Sequence, residues 1–211
     1  MEAGKDVKAP ELHRSDAIRL AALKLFAEHG YESTTIDQIG SAAGIRGPSI
    51  YRHFSSKQEL LFGIMLRTVR ELIAMQKIAE TSCDEVVLRL RRMIEAHVRY
   101  HTRHKLEAFV GNRELRSLNP ENYEVIRHER RNYELGVRNV LELGVATGEF
   151  HVESPMLTSF ALMDLGVGIS AWYRDSGRIG EDLVVSTYGD FALRLVGARI
   201  MVPSTADAES S

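Results

Sequence analysis

Between Asp37 and Glu59 the chain carries no acidic side chain, while Arg46, Arg52 and Lys57 are basic and His53 can become so. Thr35, Ser49 and Tyr51 add hydroxyl groups to the same stretch. Cations and hydroxyls without a competing carboxylate suit a surface that neutralises phosphates and releases their counterions. The same residues would also make the solvated rim of an ordinary helical corner. Which reading holds depends on the elements that carry them.

The stretch runs TTIDQIGSAAGIRGPSIYRHFSSK from Thr34 to Lys57. Thr35 is placed to cap a helix, and Gln38, three residues on, completes a capping box. Ile36, Ile39 and Ala43 then share one face at helical spacing, and Gly44 suits the left-handed residue that ends a helix. Ile45 is a buried link. Pro48 fits the first position of a second helix, where its missing N–H costs nothing. Ile50 and Phe54 give that helix its inward face, so Tyr51, Arg52 and His53 point elsewhere. Ser56 and Glu59 spell a second capping box, which sets Lys57 at the start of a further helix beside phosphate-attracting amides. Two helices and a glycine turn make a helix-turn-helix, whose second helix enters a major groove.

These residues carry a resemblance. Thr34-Thr35, Ile39-Gly40, Ala43-Gly44-Ile45, Ser49-Ile50-Tyr51, His53-Phe54 and Ser56-Lys57-Gln58-Glu59-Leu60 resemble, without a gap, the DNA-binding domain of the TetR family of transcriptional repressors. The resemblance implies phosphate contacts from Thr35, Tyr51, His53 and Lys57. It implies a base-reading face made by Arg46, Gly47, Pro48, Ser49 and Arg52. At Arg46 the family often has a serine or threonine cap. An arginine accepts no amide hydrogen bond, so it is released toward DNA and the capping falls to backbone or water.

A chain of 211 residues with 44% hydrophobic and 27% charged residues has the composition of a soluble globular protein. Net charge is −2, so the nucleic-acid argument is local and not global. The single cysteine, Cys83, excludes an intramolecular disulfide and fits a reducing compartment. No apolar run reaches the length of a membrane span, and MEAGKDVKAPE is no signal peptide, so a cytoplasmic protein is expected.

Along the chain the pattern is helical throughout. Residues 1–11 read as a flexible arm, 12–56 as a three-helix DNA-binding domain with helix-turn-helix, 57–202 as a helical effector-binding and dimerisation domain, and 203–211 as a disordered tail. Ile18, Ala22, Leu25 and Phe26 stripe the first helix, which Gly30 closes. A long helix follows from Lys57 to about Glu80. Asp84 is a candidate cap for the next, which ends near Arg103, and a shorter helix carries Leu106, Phe109, Val110 and Leu115. Pro120 opens a helix reaching Ala146, Ser154-Pro155 opens one to Tyr173, and a last one spans about Glu181 to Ile200. The fold class is all-α.

Three further constellations could do chemistry. Gly166-Val-Gly168-Ile-Ser-Ala171 matches a dinucleotide fingerprint in letters, but its flanks are helical on both sides, and the glycines better serve close helix packing. His97, His101 and His104 share a helical face at metal-ligand spacing, although polar lining or solvent exposure explains them without a metal. Arg113, Arg116, Arg127, Arg130, Arg131 and Arg138 alternate with Tyr123, Tyr133 and several glutamates. Most of these would form ion pairs on a solvated face, while one or two turned inward would hold an anionic group. Phe109, Asn112, Arg113, Arg116, Tyr133, Met163 and Trp172 are the candidate ligand-binding residues. No cofactor and no metal is expected.

ELRSLNPENY, RRNYE, VRNVLELGVATGEF, ISAWYRDSG and ALRLVG also resemble, more loosely, a TetR subgroup that responds to acyl-CoA thioesters. Together the resemblances imply a repressor that binds a palindromic DNA operator as a homodimer and is released by a small effector, an acyl-CoA thioester. They imply pairing of the two C-terminal helices into a four-helix bundle through Gly166, Gly168, Ala171, Gly189, Ala192 and Gly197. An activator or sensor with the same DNA head is the alternative, followed by a helical enzyme acting on a CoA thioester.

Overall fold

The computed structural model describes residues 14–198, which hold eight α-helices, two short 3-10 helices and no strand. The proposed arm and tail, and residues 199–200 of the expected last helix, lie outside the described residues. The chain divides into two compact units, residues 1–70 with 105–129, and residues 71–104 with 130–211.

The first unit contains α1 (Arg14–His29), α2 (Ile36–Ala42), a 3-10 helix (Gly47–Arg52), the first part of α3 (Lys57–Thr81), α5 (Lys105–Arg113), a 3-10 turn (Leu115–Ser117) and the start of α6 (Pro120–Ala146). Its core joins Ile18, Ala22 and Phe26 to Ile39, Ile50, Leu60 and Leu61, and to Val110 and Ile126. Of the periodic residues of the first three elements, Ile18, Ala22, Phe26, Ile39, Ile50 and Phe54 are buried as their spacing predicts, while Leu25, Ile36, Ala43 and Ile45 are only partly buried against this core. α5 packs on α1 through Ala108 and Val110, leaving Leu106 and Phe109 exposed. Gly30 and Gly44 take φ of +84° and +69°, so each ends its helix in a conformation that costs a side chain energy.

The second unit contains the remainder of α3 and α6, with α4 (Val86–Arg103), α7 (Pro155–Trp172) and α8 (Glu181–Leu195). α4 packs against both α7 and α8 and presents Leu90, Ile94 and Val98 to Val137, Leu141, Leu162, Ile169, Val184 and Ala192. The start of α8 is pinned to α4. Glu181 accepts from Arg103, from the Thr102 hydroxyl at 2.6 Å and from Arg99 at 3.0 Å, and these bonds, Arg103 first, hold its carboxyl at a pKa of about 2.

Several local expectations are corrected. Glu85, not Asp84, precedes α4, and neither side chain caps it. Pro48 occupies the second position of its helix, which is 3-10 and not α, with Ser49 N–H bonded to Arg46 O at 2.9 Å. α8 stops at Leu195, because Gly197 turns the chain with a φ of +62°. Glu59 N–H does bond the Ser56 hydroxyl, at 3.1 Å, but the Glu59 carboxylate reaches one residue further back, to Ser55 N–H and hydroxyl.

Gly136 of α6 and Gly166 of α7 share one physical cause. Gln76 is buried and donates to the backbone carbonyl of Tyr133 at 2.9 Å, and a Cβ on Gly136, three residues on, would collide with its amide. His97 donates to the carbonyl of Met163 at 3.0 Å, and a Cβ on Gly166, three residues on, would collide with its ring. In both cases a polar side chain reaches a helix backbone through the gap that a glycine leaves. Gly166→Ala should lower unfolding stability by roughly 2–3 kcal/mol in urea, because the ring has no room to move. Gly63→Ala, in open space on α3, should instead raise it by about 0.5–1 kcal/mol.

Candidate nucleic-acid interface and effector region

The acid-free stretch forms one rim of the first unit. The Thr35 hydroxyl accepts from Gln38 N–H at 3.2 Å, and Gln38 Oε1 accepts from Thr35 N–H at 2.7 Å, so the predicted capping box is present. That hydroxyl also lies 3.1 Å from Gln38 Oε1, which takes up its proton. Gly47 and Pro48 open the 3-10 helix after Arg46, whose side chain makes no capping bond. Ile50 and Phe54 turn into the core, while Arg46, Tyr51, Arg52 and His53 are exposed and Ser49 is half-buried. The short element thus holds its buried residues on one side and a cationic, hydroxyl-bearing face on the other.

Lys57 is placed differently. Its ammonium turns inward, within 3.4 Å of three backbone carbonyls in the Tyr31–Thr34 turn. The acidic neighbour at the far end, Glu59, has its carboxyl pKa lowered by the Ser55 hydrogen bonds, so it stays ionised and marks the limit of the cationic rim.

The candidate ligand residues fall in both units. In the first, Phe109, Asn112, Arg113 and Arg116 are exposed, with the Arg113 guanidinium 5.5 Å from the Phe109 ring centroid. In the second, Tyr133 and Met163 meet at a residue that was read only as a metal candidate or polar lining, while Trp172 at the end of α7 is exposed. His97 is buried, with Nδ1 2.7 Å from the Tyr133 hydroxyl and Nε2 3.0 Å from Met163 O. A carbonyl only accepts, so Nε2 carries the proton and Nδ1 accepts from Tyr133. His101, also buried, uses Nδ1 to donate to His97 O at 2.9 Å. Among the described residues no group of three or more His, Cys, Asp or Glu side chains is arranged to hold a metal.

Gly166 and Gly168 lie in the middle of α7, with no strand before them, so the dinucleotide fingerprint has no structural basis. The small residues read as a dimer seam divide. Gly166, Gly189 and Ala192 are buried within this chain, Gly189 against Glu95 and Arg91, whereas Gly168, Ala171 and Gly197 are exposed.

Residues 18–64 match the bacterial regulatory proteins of the tetR family, and residues 84–196 match the tetracyclin repressor-like C-terminal domain. The chain belongs to the TetR family of transcriptional regulators. It is accordingly a DNA-binding regulator and not an enzyme. The transcriptional repressor KstR2 of Rhodococcus jostii is 27% identical over 191 residues, covering 87% of this chain and 90% of that one. The transcriptional activator FasR of Mycolicibacterium smegmatis is 33% identical over 89 residues, 42% of this chain and 41% of FasR. The crystal structure of AibR with isovaleryl coenzyme A and operator DNA shares the fold, with a TM-score of 0.77 and 21% identity over 88% of this chain and all of that one. No described helix of this TetR-family chain is long and apolar enough to cross a membrane.

Burial holds His97 neutral by pushing its pKa from 6.5 down to about 3, with the neighbouring His101 adding to the effect, and burial also lowers His101. Unfolding releases both imidazoles to their ordinary value, so the unfolded chain binds more protons below pH 6.5. Stability should be full above that pH and fall as pH drops below 6.5, by up to roughly 1 kcal/mol per pH unit from His97 toward pH 4, with His101 acting in the same direction. Urea titrations between pH 7.5 and 4.5 measure this, and His97→Gln should flatten the slope.

Proposed function

We propose that this TetR-family protein is a cytoplasmic, ligand-responsive repressor. It binds a palindromic operator as a homodimer and is released by a small effector, an acyl-CoA thioester. The observation that carries the DNA reading is the exposed, acid-free face of the 3-10 helix, with Arg46, Gly47, Pro48, Ser49 and Arg52 toward base edges. Tyr51, His53 and Thr35 address phosphates beside it, Thr35 mainly by holding α2 in place. Repression is favoured by the likeness to KstR2 along most of both chains.

Dimerisation is supported by an apolar stripe that stays exposed among the described residues. Leu157, Phe160, Leu165 and Trp172 on α7, and Leu183, Phe191 and Leu195 on α8, recur at helical spacing and are 43–62% exposed. Gly168 and Ala171 lie in the stripe and leave room for a second helix, and Asp164 interrupts it once. A palindrome then follows from the two-fold axis of such a dimer. For the effector, exposed Arg113 and Arg116 of the first unit suit phosphates, with Phe109 and Asn112 beside them in sequence, while Tyr133, Met163 and Trp172 are the candidates of the second unit. AibR supplies the precedent of this fold holding a coenzyme A thioester and DNA together.

Selection of bound sequences from a random DNA pool tests the reading. A palindrome should emerge, and Arg46→Ala should relax the consensus at one position per half-site, at a cost of about 1–3 kcal/mol each. No enriched sequence from folded protein would end the proposal. A reporter behind the selected site should be silenced, whereas activation would favour the FasR-like alternative. Acyl-CoA thioesters of graded length should release the complex, and no binding of any of them by calorimetry would remove that effector class. Phe160→Glu should yield a monomer by sedimentation and weaken operator binding about a hundredfold or more.

A further inference from the structure

We propose that a groove between the end of α3 and the first half of α4 binds a free fatty carboxylate, with the chain along the groove and the charge on Arg92. The groove measures about 480 Å³ and lies wholly within the second unit. Met75, Ile78 and Ala79 of α3 line one side, Arg92 and Ala96 of α4 the other, and Ser82 lies where the chain turns between the helices. None of them belongs to the seven candidate ligand residues.

The apolar part follows from helical spacing. Ile78 and Ala79 stand three and four residues after Met75, and Ala96 stands four after Arg92, so each set shares a helix face. Ala79 and Ala96 are too short to fill the space between the helices. Ile78 is 71% exposed, more than any other large apolar side chain among the described residues. An acyl chain laid against it would remove apolar surface from water on both partners.

The polar end fits one negative charge. The Ser82 hydroxyl donates to Ala79 O at 2.6 Å and accepts from Arg92 Nη1 at 2.9 Å, while the same nitrogen donates to Ser82 O at 2.7 Å. Both Nη1 hydrogens are thereby used, and they hold the guanidinium beside the groove. Arg91, Arg99 and Arg103 on the same helix each pair with a carboxylate. Arg92 pairs with none among the described residues, which leaves its Nε–Nη2 edge for a carboxylate held by two parallel bonds. Glu80, Asp84 and Glu85 lie within three residues of Ser82, an acidic setting that suits a monoanion better than a polyphosphate head.

Calorimetry with decanoate and DNA-free protein tests this, so the outcome is separate from operator binding and from release by acyl-CoA. One decanoate should bind per chain with a Kd below about 100 µM, and no binding at about 1 mM would overturn the proposal. Decanol, a tail without charge, and butanoate, a charge with little tail, should each bind at least about tenfold more weakly. Arg92→Gln should weaken decanoate about tenfold and erase its advantage over decanol. Ile78→Glu, at an exposed position where circular dichroism should show an intact fold, should weaken it about thirtyfold or more by charge repulsion. Unaltered binding in both folded variants would place decanoate elsewhere and overturn the proposal. Decanoyl-CoA binding more tightly than decanoate, and losing that binding in Ile78→Glu, would assign the groove to the thioester. Loss of self-association in Ile78→Glu by sedimentation would assign it to a second copy of the chain. Either result would overturn the proposal as well.

Discussion

The second unit depends on one buried imidazole kept neutral. His97 projects from α4 to accept a hydrogen bond from the Tyr133 hydroxyl of α6 and donate one to the Met163 carbonyl of α7. A charged ring there would reverse the Tyr133 bond, with Nδ1–H donating to the hydroxyl oxygen, and would leave a cation in an apolar interior. Gly166 exists to admit that ring, and Gly136 admits Gln76 in the same manner. Helices α3, α4, α6 and α7 of this unit are thus tied by directional bonds to backbone as well as by apolar packing. Such bonds fix which turn of one helix meets which turn of the next, as burial alone does not.

The first unit solves a different problem. Six residues of 3-10 helix are too few to bury much surface, so the element borrows its order from its surroundings. Ile50 and Phe54 seat it on the core, Ala43–Ile45 turn the chain into it, and the bond from Lys57 to Thr34 O closes behind it. This arrangement leaves Arg46, Tyr51, Arg52 and His53 without structural duties and in contact with solvent. Side chains that the fold does not need are the ones a surface can devote to a ligand.

The helices were legible because each apolar stripe has one partner face. Ile18, Ala22 and Phe26, or Leu90, Ile94 and Val98, have no other amphipathic solution. Thr35 was legible as a cap because a cap is a local bond, closed within three residues. The helical type of Gly47–Arg52 was not, since α and 3-10 geometry place Ile50 inward equally well. The partners of His97 were not legible, for a related reason. Its spacing to His101 and His104 invites a metal, and only the neighbouring helices reveal that both of its ring nitrogens already have partners. The seven candidate ligand residues are alike in type alone; in the first unit Arg113 lies by the Phe109 ring, and in the second Tyr133 and Met163 meet at His97.

By itself, then, the sequence determined what is local or periodic, namely the all-helical class, the capping box, the glycine stops, the basic rim and its likeness to TetR-family DNA-binding domains. Tertiary structure decided what lies between elements. Lys57 reads in sequence as a cation at a helix start, and only folding brings it to carbonyls 23 residues away. Gly166 and Gly168 read alike, and only folding places one beneath His97 and the other in open space. The physical reason is the same in each case. A side chain's type and spacing fix which bonds it can make, while the partner's position depends on how distant elements pack.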